Sequence, residues 1–400
     1  MENADNMKIM HDLFRAYYDA RKNKWQSFSV LSFDMNYERE LFKLYEDIIK
    51  GKYVISSSIC FVCFKPLKRE IFAANFRDRI VHHFIYNYIN PIFERLFIND
   101  NYSCRVGRGT SFGIKRLNHF IRSCSNNYKD DCYILKLDIK GYFMAIDRQI
   151  LYQKVEKTIN RFREKEEFDI NMTLCLIRQV IFNDSTKNCL LKGKKEDWQG
   201  LPKTKSLFFA GKNKGLPIGN LTSQLFGNIY LNDFDHFMKY KLGCKYYGRY
   251  VDDIIIIHKD KEYLKSIIPI MRDYLKDSLF LELHPRKIYL QHFSKGVRFL
   301  GVFLKPYRIY IGDQTKSSFY KKTKCWNKFL INNHVIDKKA LEKFISSENS
   351  YLGIFKHYNT YHLRRGIMEK RLLPDFFKYV SLSRDYDKIL DVKKHKEDEK

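Results

Sequence analysis

Two adjacent aspartates between two strand-like runs constrain this chain more than any other feature. Residues 250–253 read Tyr-Val-Asp-Asp, after an aromatic run at 246–249 and before four isoleucines at 254–257. Aromatic and β-branched residues favour strands, so the pattern predicts a hairpin whose short turn carries Asp252 and Asp253. Adjacent carboxylates repel unless a cation lies between them, and Mg²⁺ prefers carboxylate oxygens together with substrate phosphates. A polar hairpin turn is the alternative, because Asp is common in turns.

The composition indicates nucleic acid as the partner. The chain carries 73 Lys and Arg against 46 Asp and Glu, a net charge of +27, together with 28 Tyr and 32 Phe. Basic charge attracts a phosphate backbone, and aromatic rings offer stacking surfaces for unpaired bases. No apolar run approaches the roughly 20 residues that cross a bilayer, and the N-terminus lacks a signal-peptide pattern. We therefore expect a cytoplasmic protein without a membrane partner.

The periodicity of apolar residues predicts an α+β chain without a regular βαβ series. Helical spacing covers 1–50, 76–98 (ending near Pro91), 147–167, 221–242, 261–278 and the basic stretch 313–380, while 132–139 alternates like a strand and 297–311 is typical of a hairpin.

Two other segments carry candidate site residues. Residues 135–143 (Leu-Lys-Leu-Asp-Ile-Lys-Gly-Tyr-Phe) place Asp138 at the end of the alternating strand. Taken alone, this Asp is more typical of a helix cap or turn. Residues 215–224 (Gly-Leu-Pro-Ile-Gly-Asn-Leu-Thr-Ser-Gln) form a glycine-containing turn before a helix. Glycine permits close backbone approach or a positive φ, which is weak support for a phosphate or nucleotide contact.

The order of these three motifs resembles the palm of a reverse transcriptase. The chain is most similar to the reverse transcriptases of diversity-generating retroelements and to related bacterial antiphage-defence enzymes. The resemblance spans roughly residues 60–370 and includes 77–83, 91–97, 283–287, 297–301 and 350–365.

The resemblance implies a right-hand polymerase fold with a basic helical thumb. Its predicted ranges are an N-terminal helical extension at 1–50, fingers at 51–130, a palm at 131–305 with a fingers-like insertion around 165–215, a thumb at 306–380 and a charged tail at 381–400.

The same resemblance implies the catalytic groups. Asp138, Ile139, Asp252 and Asp253 form the predicted metal set, for two Mg²⁺ ions with Mn²⁺ as a possible substitute. Lys287 matches a proton donor to pyrophosphate, and a surface lysine is the alternative. The predicted dNTP contacts are Lys65, Arg69, Arg77, Phe143, Ile218, Gly219 and Gln224, and the predicted primer grip is Phe299, Leu300 and Gly301.

Two of these positions have apolar alternatives. Phe143 matches a bulky gate against the ribonucleotide 2′-hydroxyl, or else is a core aromatic. Ile218 stands where many relatives have Gln, and isoleucine cannot hydrogen-bond to position a nucleotide. We therefore expect looser selectivity for the nucleotide, and the resemblance to diversity-generating enzymes, which misincorporate opposite template adenine, implies errors at template adenines. The alternative is that Ile218 only packs the palm. For Lys65, Arg69 and Arg77 the alternative is a solvated surface charge.

The functional expectation is a bacterial RNA-directed DNA polymerase that makes cDNA from a dedicated structured RNA, in a diversity-generating retroelement. The expected partners are the template or noncoding RNA, its cDNA, dNTPs, and an accessory protein or further copies of the chain. Three alternatives stay open: an antiphage-defence reverse transcriptase, a non-catalytic RNA-binding scaffold and an RNA-dependent RNA polymerase.

Overall fold

The computed structural model describes residues 2–22, 24, 27–65 and 67–392. The chain divides into two compact units, which we call unit 1 (residues 1–113 and 135–290) and unit 2 (residues 114–134 and 291–400). Residues 114–134 therefore group with residues 291–400. The predicted ranges place 114–130 in the fingers and 131–134 in the palm. The finger, palm and thumb ranges themselves remain predictions.

Unit 1 combines most of the helices with two sheets. Its helices are α1 (Glu2–Arg21), α2 (Phe28–Asp34), α3 (Tyr37–Ile49), α4 (Phe76–Leu96), α5 (Thr110–Cys124, continuing into unit 2), α6 (Tyr142–Ala145), α7 (Arg148–Arg161), α8 (Ile170–Phe182), α9 (Leu221–Tyr230), α10 (Asn232–His236) and α11 (Lys261–Leu279). Its strands are β1 (Ser58–Cys63), β2 (Arg69–Ala73), β3 (Tyr133–Asp138), β4 (Cys189–Leu191), β5 (Tyr246–Tyr250), β6 (Asp253–His258) and β7 (Tyr289–His292), of which β3 and β7 cross the unit boundary.

Two predicted helices differ from the structure. Helix α4 continues through Pro91, where the prediction ended it. Proline inside a helix costs about 3 kcal/mol, but Ile92 and Phe93 beyond it are buried and keep the core-facing pattern. The predicted helix 221–242 is three pieces: α9, α10 and a π-helical turn at Phe237–Lys241. Because the chain turns at Leu231, α10 can bring a carboxylate to β5.

The two sheets of unit 1 carry different parts of the chain. The larger has the strand order β5-β6-β3-β7, and β5 and β6 form the predicted hairpin with Tyr250 opposite Asp253. The smaller has the order β2-β1-β4, with β4 parallel to β1. Strand β4 lies in the stretch predicted as a fingers-like insertion, so this insertion extends the β1–β2 hairpin.

A buried ion pair anchors the β5–β6 hairpin. Arg249 of β5 and Asp235 of α10 are both fully buried. Arg249 donates from Nε to Asp235 Oδ1 at 2.7 Å and from Nη2 to Oδ2 at 2.6 Å. The Tyr247 hydroxyl donates to the same carboxylate at 2.6 Å. Removing the two charges from water costs several kcal/mol. The bidentate geometry and the additional hydrogen bond from Tyr247 offset that cost.

Unit 2 has a three-stranded meander followed by three helices and a small hairpin. Its elements are β8 (Val297–Phe299), β9 (Val302–Lys305), β10 (Arg308–Ile311), α12 (Asp313–Asn333), α13 (Lys338–Phe355), α14 (Tyr361–Lys370), β11 (Val380–Leu382) and β12 (Ile389–Asp391). The predicted hairpin 297–311 is therefore a meander.

Part of the segment predicted as a charged tail, residues 381–400, is folded. Strands β11 and β12 pair antiparallel, and Val380 and Ile389 are buried in the core of unit 2 with Phe344 and Phe376. Apolar residues between the charges give this segment a face to bury. Residues 393–400 lie outside the described part of the chain. Across the described residues, no helix has the length and apolarity that a membrane crossing needs.

Glu348 of α13 is a buried acid in the core of unit 2. The Thr323 hydroxyl donates to its Oε2 at 3.1 Å, and Oε1 has no hydrogen-bond partner among the described residues. Burial raises the pKa of the Glu348 carboxyl to about 7, against an ordinary value of 4.5. The folded protein therefore holds this proton more tightly than the unfolded chain does.

Replacing Asp235 by Ala should lower the free energy of unfolding by about 3–5 kcal/mol, because it leaves the Arg249 guanidinium buried and unpaired. The measurement is urea unfolding followed by circular dichroism. Asp233→Ala is the control on the same helix, since the Asp233 side chain is 61% exposed and its partner is the surface Lys154; its expected loss is below about 1 kcal/mol. Equal losses in the two variants would contradict the anchoring role.

Glu348→Gln should remove a pH dependence of stability. A raised carboxyl pKa stabilises the fold fully below the unfolded value of 4.5, and this contribution is lost as pH rises through about 7. Between pH 5 and pH 8, the free energy of unfolding of the variant should rise by up to about 3 kcal/mol relative to that of the native protein. Urea unfolding at both pH values checks this, with the exposed Glu342→Gln as the matched control. A constant difference between variant and native protein would refute the buried titration.

Candidate active site

Three carboxylates meet at one end of the larger sheet. Asp138 ends β3, Asp252 lies in the β5–β6 turn and Asp253 begins β6. Strands β3 and β6 are neighbours, and the backbone amide of Ile139 donates to the Asp252 carbonyl at 3.3 Å. The four residues of the predicted metal set are thus brought together by strand pairing.

The turn that carries Asp252 is strained and held from two sides. Val251 has a φ of +56°, a conformation that β-branched residues avoid and that glycine normally supplies in a two-residue hairpin turn. Arg249 Nη1 donates to the Val251 carbonyl at 2.9 Å, and the Val251 amide donates to Ser103 Oγ at 3.2 Å. These contacts keep the strained turn in place, so the buried ion pair also sets the position of Asp252.

The electrostatics of the site fit a divalent cation. Burial, together with repulsion from Asp138 and Asp253, raises the pKa of Asp252 to about 6. Lys287 Nζ donates to Asp138 Oδ2 at 2.8 Å, and Lys136 Nζ lies 3.2 Å from Asp253 Oδ1. Carboxylate oxygens that repel in this way are a hard-cation donor set. In the described part of the chain, however, no group of three or more His, Cys, Asp or Glu side chains is placed so that it could hold a metal ion.

Sequence reasoning missed Lys136 and the Arg249–Asp235 pair. Lys136 and Asp138 are two residues apart on β3 and therefore share one face of the strand, which was a usable clue. The sequence offered no such clue to the Arg249–Asp235 ion pair, because Asp235 lies in a stretch predicted as one continuous helix.

The glycine loop lies against β2. The amide of Phe72 donates to the carbonyl of Ile218 at 2.8 Å. Gly219 has a φ of +130°, and a Cβ atom there would lie 2.7 Å from the Phe72 carbonyl oxygen. Any side chain at this position would push the loop off the strand, so Gly219 is required by close backbone approach.

Phe143 and Ile218 belong to one apolar cluster. Both are partly buried and pack against Phe72, Met144 and other core residues. The Phe143 ring also lies against α9, where a Cβ on Gly227 would come within 3.2 Å of it. The structure thus brings together Phe143, Ile218 and Gly219 of the predicted dNTP set, while Gln224 is exposed on α9.

Arg77, another member of that set, contacts neighbouring parts of the fold through its guanidinium. Its Nη2 donates to Asp47 Oδ2 at 2.7 Å, its Nη1 donates to the Val54 carbonyl at 3.2 Å, and its guanidinium lies 4.9 Å from the centroid of the Tyr53 ring. These contacts use two of the five guanidinium donors on the fold, and the predicted triphosphate contact of Arg77 stays a prediction. Lys65 and Arg69 are exposed at the β1–β2 hairpin.

The predicted primer grip lies in unit 2 and forms the β8–β9 turn. Leu300 and Gly301 both have positive φ, of 48° and 83°, as a two-residue type I′ turn requires. Phe299, at the end of β8, is buried. Phe299 therefore anchors the turn, and the Gly301 carbonyl accepts a hydrogen bond from the Gly312 amide at 2.9 Å.

Comparison with known proteins identifies the family. Residues 67–304 match the model described as "Reverse transcriptase (RNA-dependent DNA polymerase)". Protein YkfC of Escherichia coli (strain K12) is 24% identical over 283 residues, covering 63% of this chain and 67% of that protein.

This chain is also similar, at lower sequence identity, to solved structures. Apo telomerase from Candida Tropicalis has a TM-score of 0.47 at 12% identity, covering 83% of this chain and 63% of that one. Its C-terminally truncated form has a TM-score of 0.45 at 15% identity, covering 64% of this chain and 55% of that one. This chain thus spans well under two thirds of the truncated telomerase chain. The family match covers more than half of the chain, which therefore belongs to the reverse transcriptase family and has its α+β right-hand polymerase fold.

Proposed function

We propose that this protein is an RNA-directed DNA polymerase that copies a dedicated structured RNA into cDNA from dNTPs. The observation that carries the proposal is the convergence of Asp138, Asp252 and Asp253 at the ends of two neighbouring strands. In a family member, three carboxylates at this place support catalysis over a non-catalytic RNA-binding scaffold.

The reaction forms a bond between the primer 3′-oxygen and the α-phosphorus, breaks the bond from that phosphorus to pyrophosphate, and releases the 3′-hydroxyl proton to water. Asp138, Asp252 and Asp253 would hold the divalent ions, Mg²⁺ by preference, and the ions would supply charge neutralisation for attacking and leaving oxygens. Lys287, whose side chain is 51% exposed while it contacts Asp138, can give pyrophosphate its proton.

Asp252→Asn should lower dNTP incorporation on an RNA template with a DNA primer by at least about 100-fold, because a neutral amide is a poor cation ligand. The substitution relieves carboxylate repulsion, so the thermal midpoint should not fall. The exposed Asp273→Asn on α11 is the control and should retain full activity. Equal dNTP incorporation by Asp252→Asn and the native protein would contradict the proposed activity.

Phe143→Ala should raise the ratio of ribonucleotide to deoxynucleotide kcat/KM by about tenfold or more, since removing the ring admits the 2′-hydroxyl. Single-nucleotide incorporation with dNTP and NTP measures the ratio. A purely packing role for Phe143 predicts equal losses for both nucleotides with a lower thermal midpoint. A native protein that prefers NTPs would favour the RNA-dependent RNA polymerase alternative.

For the biological role we propose a bacterial diversity-generating retroelement with errors at template adenines. Ile218 supports this role, because it lies with Phe143 in one cluster and offers no hydrogen bond to a nucleotide. Ile218→Gln should lower misincorporation opposite adenine severalfold, as read by sequencing the cDNA. Ile218→Val, which keeps an apolar side chain, is the control. An unchanged adenine error rate in Ile218→Gln would reject the link.

The competing role is phage defence from a noncoding RNA. A neighbouring gene with a variable repeat would support diversification, and its absence would support defence. Sequencing the nucleic acid that co-purifies with the protein from the bacterial cytoplasm would identify the RNA partner. Mass measurement of the same complex would reveal an accessory protein or a homo-oligomer.

A further inference from the structure

Unit 2 carries a basic groove that none of the proposed catalytic residues line. Two cavities of about 450 Å³ and 370 Å³ adjoin there, and they share Asn118, Arg122 and Asn127. The first also includes Lys115 and His119 of α5. Among the residues that the structure describes, none of those lining either cavity carries a carboxylate. The groove is therefore polar, positive and suited to an anion.

The basic residues lie on one face of α5. Lys115, His119 and Arg122 follow each other at intervals of four and three, which places them on one side of a helix. All three are exposed, while Leu117 and Phe120 on the other side are buried. The buried side fixes the orientation of the helix, so the basic face is the side that meets solvent.

Arg122 is partly preorganised. Its Nε donates to Asn127 Oδ1 at 3.1 Å, and the Asn127 amide donates to the Arg122 carbonyl at 2.8 Å. This side-chain contact uses one of the five guanidinium donors. Arg308, at the start of β10, adds a second guanidinium to the groove. Guanidinium groups bind phosphate through paired donors, which makes phosphate the fitting anion.

Two strained tyrosines border the groove. Tyr128 has a φ of +70° and Tyr307 a φ of +61°, in a region where bulky residues are outliers. Tyr307 follows Pro306 in the β9–β10 turn, at a position that usually takes glycine or asparagine. The ring centroids lie 4.6 Å apart, and Tyr307 is 84% exposed. Strain of this kind persists where the position of a side chain matters.

We propose that this groove binds single-stranded nucleic acid, with phosphates at Lys115, Arg122 and Arg308 and an unpaired base stacked on Tyr307. A single strand offers base faces to an exposed ring along its whole length, whereas a duplex offers them only at its ends, which favours a single strand. The proposal rests on the proposed function, because it assigns the template or product strand a second place of contact. Its chemistry is shared by RNA and DNA.

The test measures binding of fluorescent 20-nucleotide oligo(U) and oligo(dT) by anisotropy, in EDTA and over a range of salt concentrations. Arg122→Glu with Arg308→Glu should weaken binding at least about tenfold and lower the salt slope by about 1.4, at about 0.7 for each lost phosphate contact. Arg272→Glu with Lys276→Glu makes the same charge change on exposed positions of α11 and should retain affinity within about threefold.

Tyr307→Gly provides a variant that should fold. Glycine relieves the positive φ, so the thermal midpoint should hold while affinity falls about five- to tenfold through lost stacking. Photo-crosslinking of 5-bromouracil oligonucleotides should label the peptide that contains Tyr307. Crosslinks confined to unit 1, or native affinity in both groove variants, would overturn the proposal.

The failures of the two proposals are distinguishable. Asp252→Asn should lose incorporation yet bind the oligonucleotides like the native protein. If the native protein incorporates no nucleotide but the groove variants still lose binding, the groove stands and the polymerase proposal falls. Tighter binding of oligo(U) than of oligo(dT) would show that the groove prefers RNA. Equal binding of the two would show that the groove recognises only the phosphates and the bases. Both results support the proposal.

Discussion

The buried pair of Arg249 and Asp235 is the interaction on which the candidate active site depends. Asp235 is fully buried on α10, and Arg249 is fully buried one residue before the turn segment 250–253. The guanidinium uses two donors on Asp235 and another on the Val251 carbonyl. One side chain therefore joins a helix, a strand and a strained turn. Its low-dielectric surroundings make the pair rigid, and they also make the loss of either partner costly.

That rigidity explains how like charges can be kept together. Asp138, Asp252 and Asp253 would separate if their backbones were free, and the raised pKa of Asp252 records both burial and repulsion. The β3–β6 pairing and the anchored turn prevent the separation. Lys287 and Lys136 offset part of the charge at Asp138 and Asp253. The fold thus keeps three carboxylates that repel one another in one place, at the expense of local strain and repulsion.

Close backbone approach organises the rest of the site. The loop at Gly219 fits against β2 because glycine has no side chain there. On the same strand, buried Glu70 accepts hydrogen bonds from the Trp198 indole, the Ser206 hydroxyl and the Leu207 amide, which fastens the insertion to β2. The stretch around Thr204 in turn reaches the segment that follows Asp138, since a Cβ on Gly141 would lie 2.6 Å from the Thr204 carbonyl oxygen. Each contact is between segments far apart in sequence.

The sequence by itself determined the strand before Asp138, the hairpin of Asp252 and Asp253 and most of the helices, because these follow from the local period of apolar residues. Only the tertiary structure decided the passage of α4 through Pro91, the break at Leu231 and the ion pair of Arg77 with Asp47. In each case tertiary packing outweighs local preference, through the burial of Ile92 and Phe93, the contact between Asp235 and Arg249, and the ion pair with Asp47. The grouping of residues 114–134 with 291–400 is likewise a matter of packing, which no local pattern of this chain encodes.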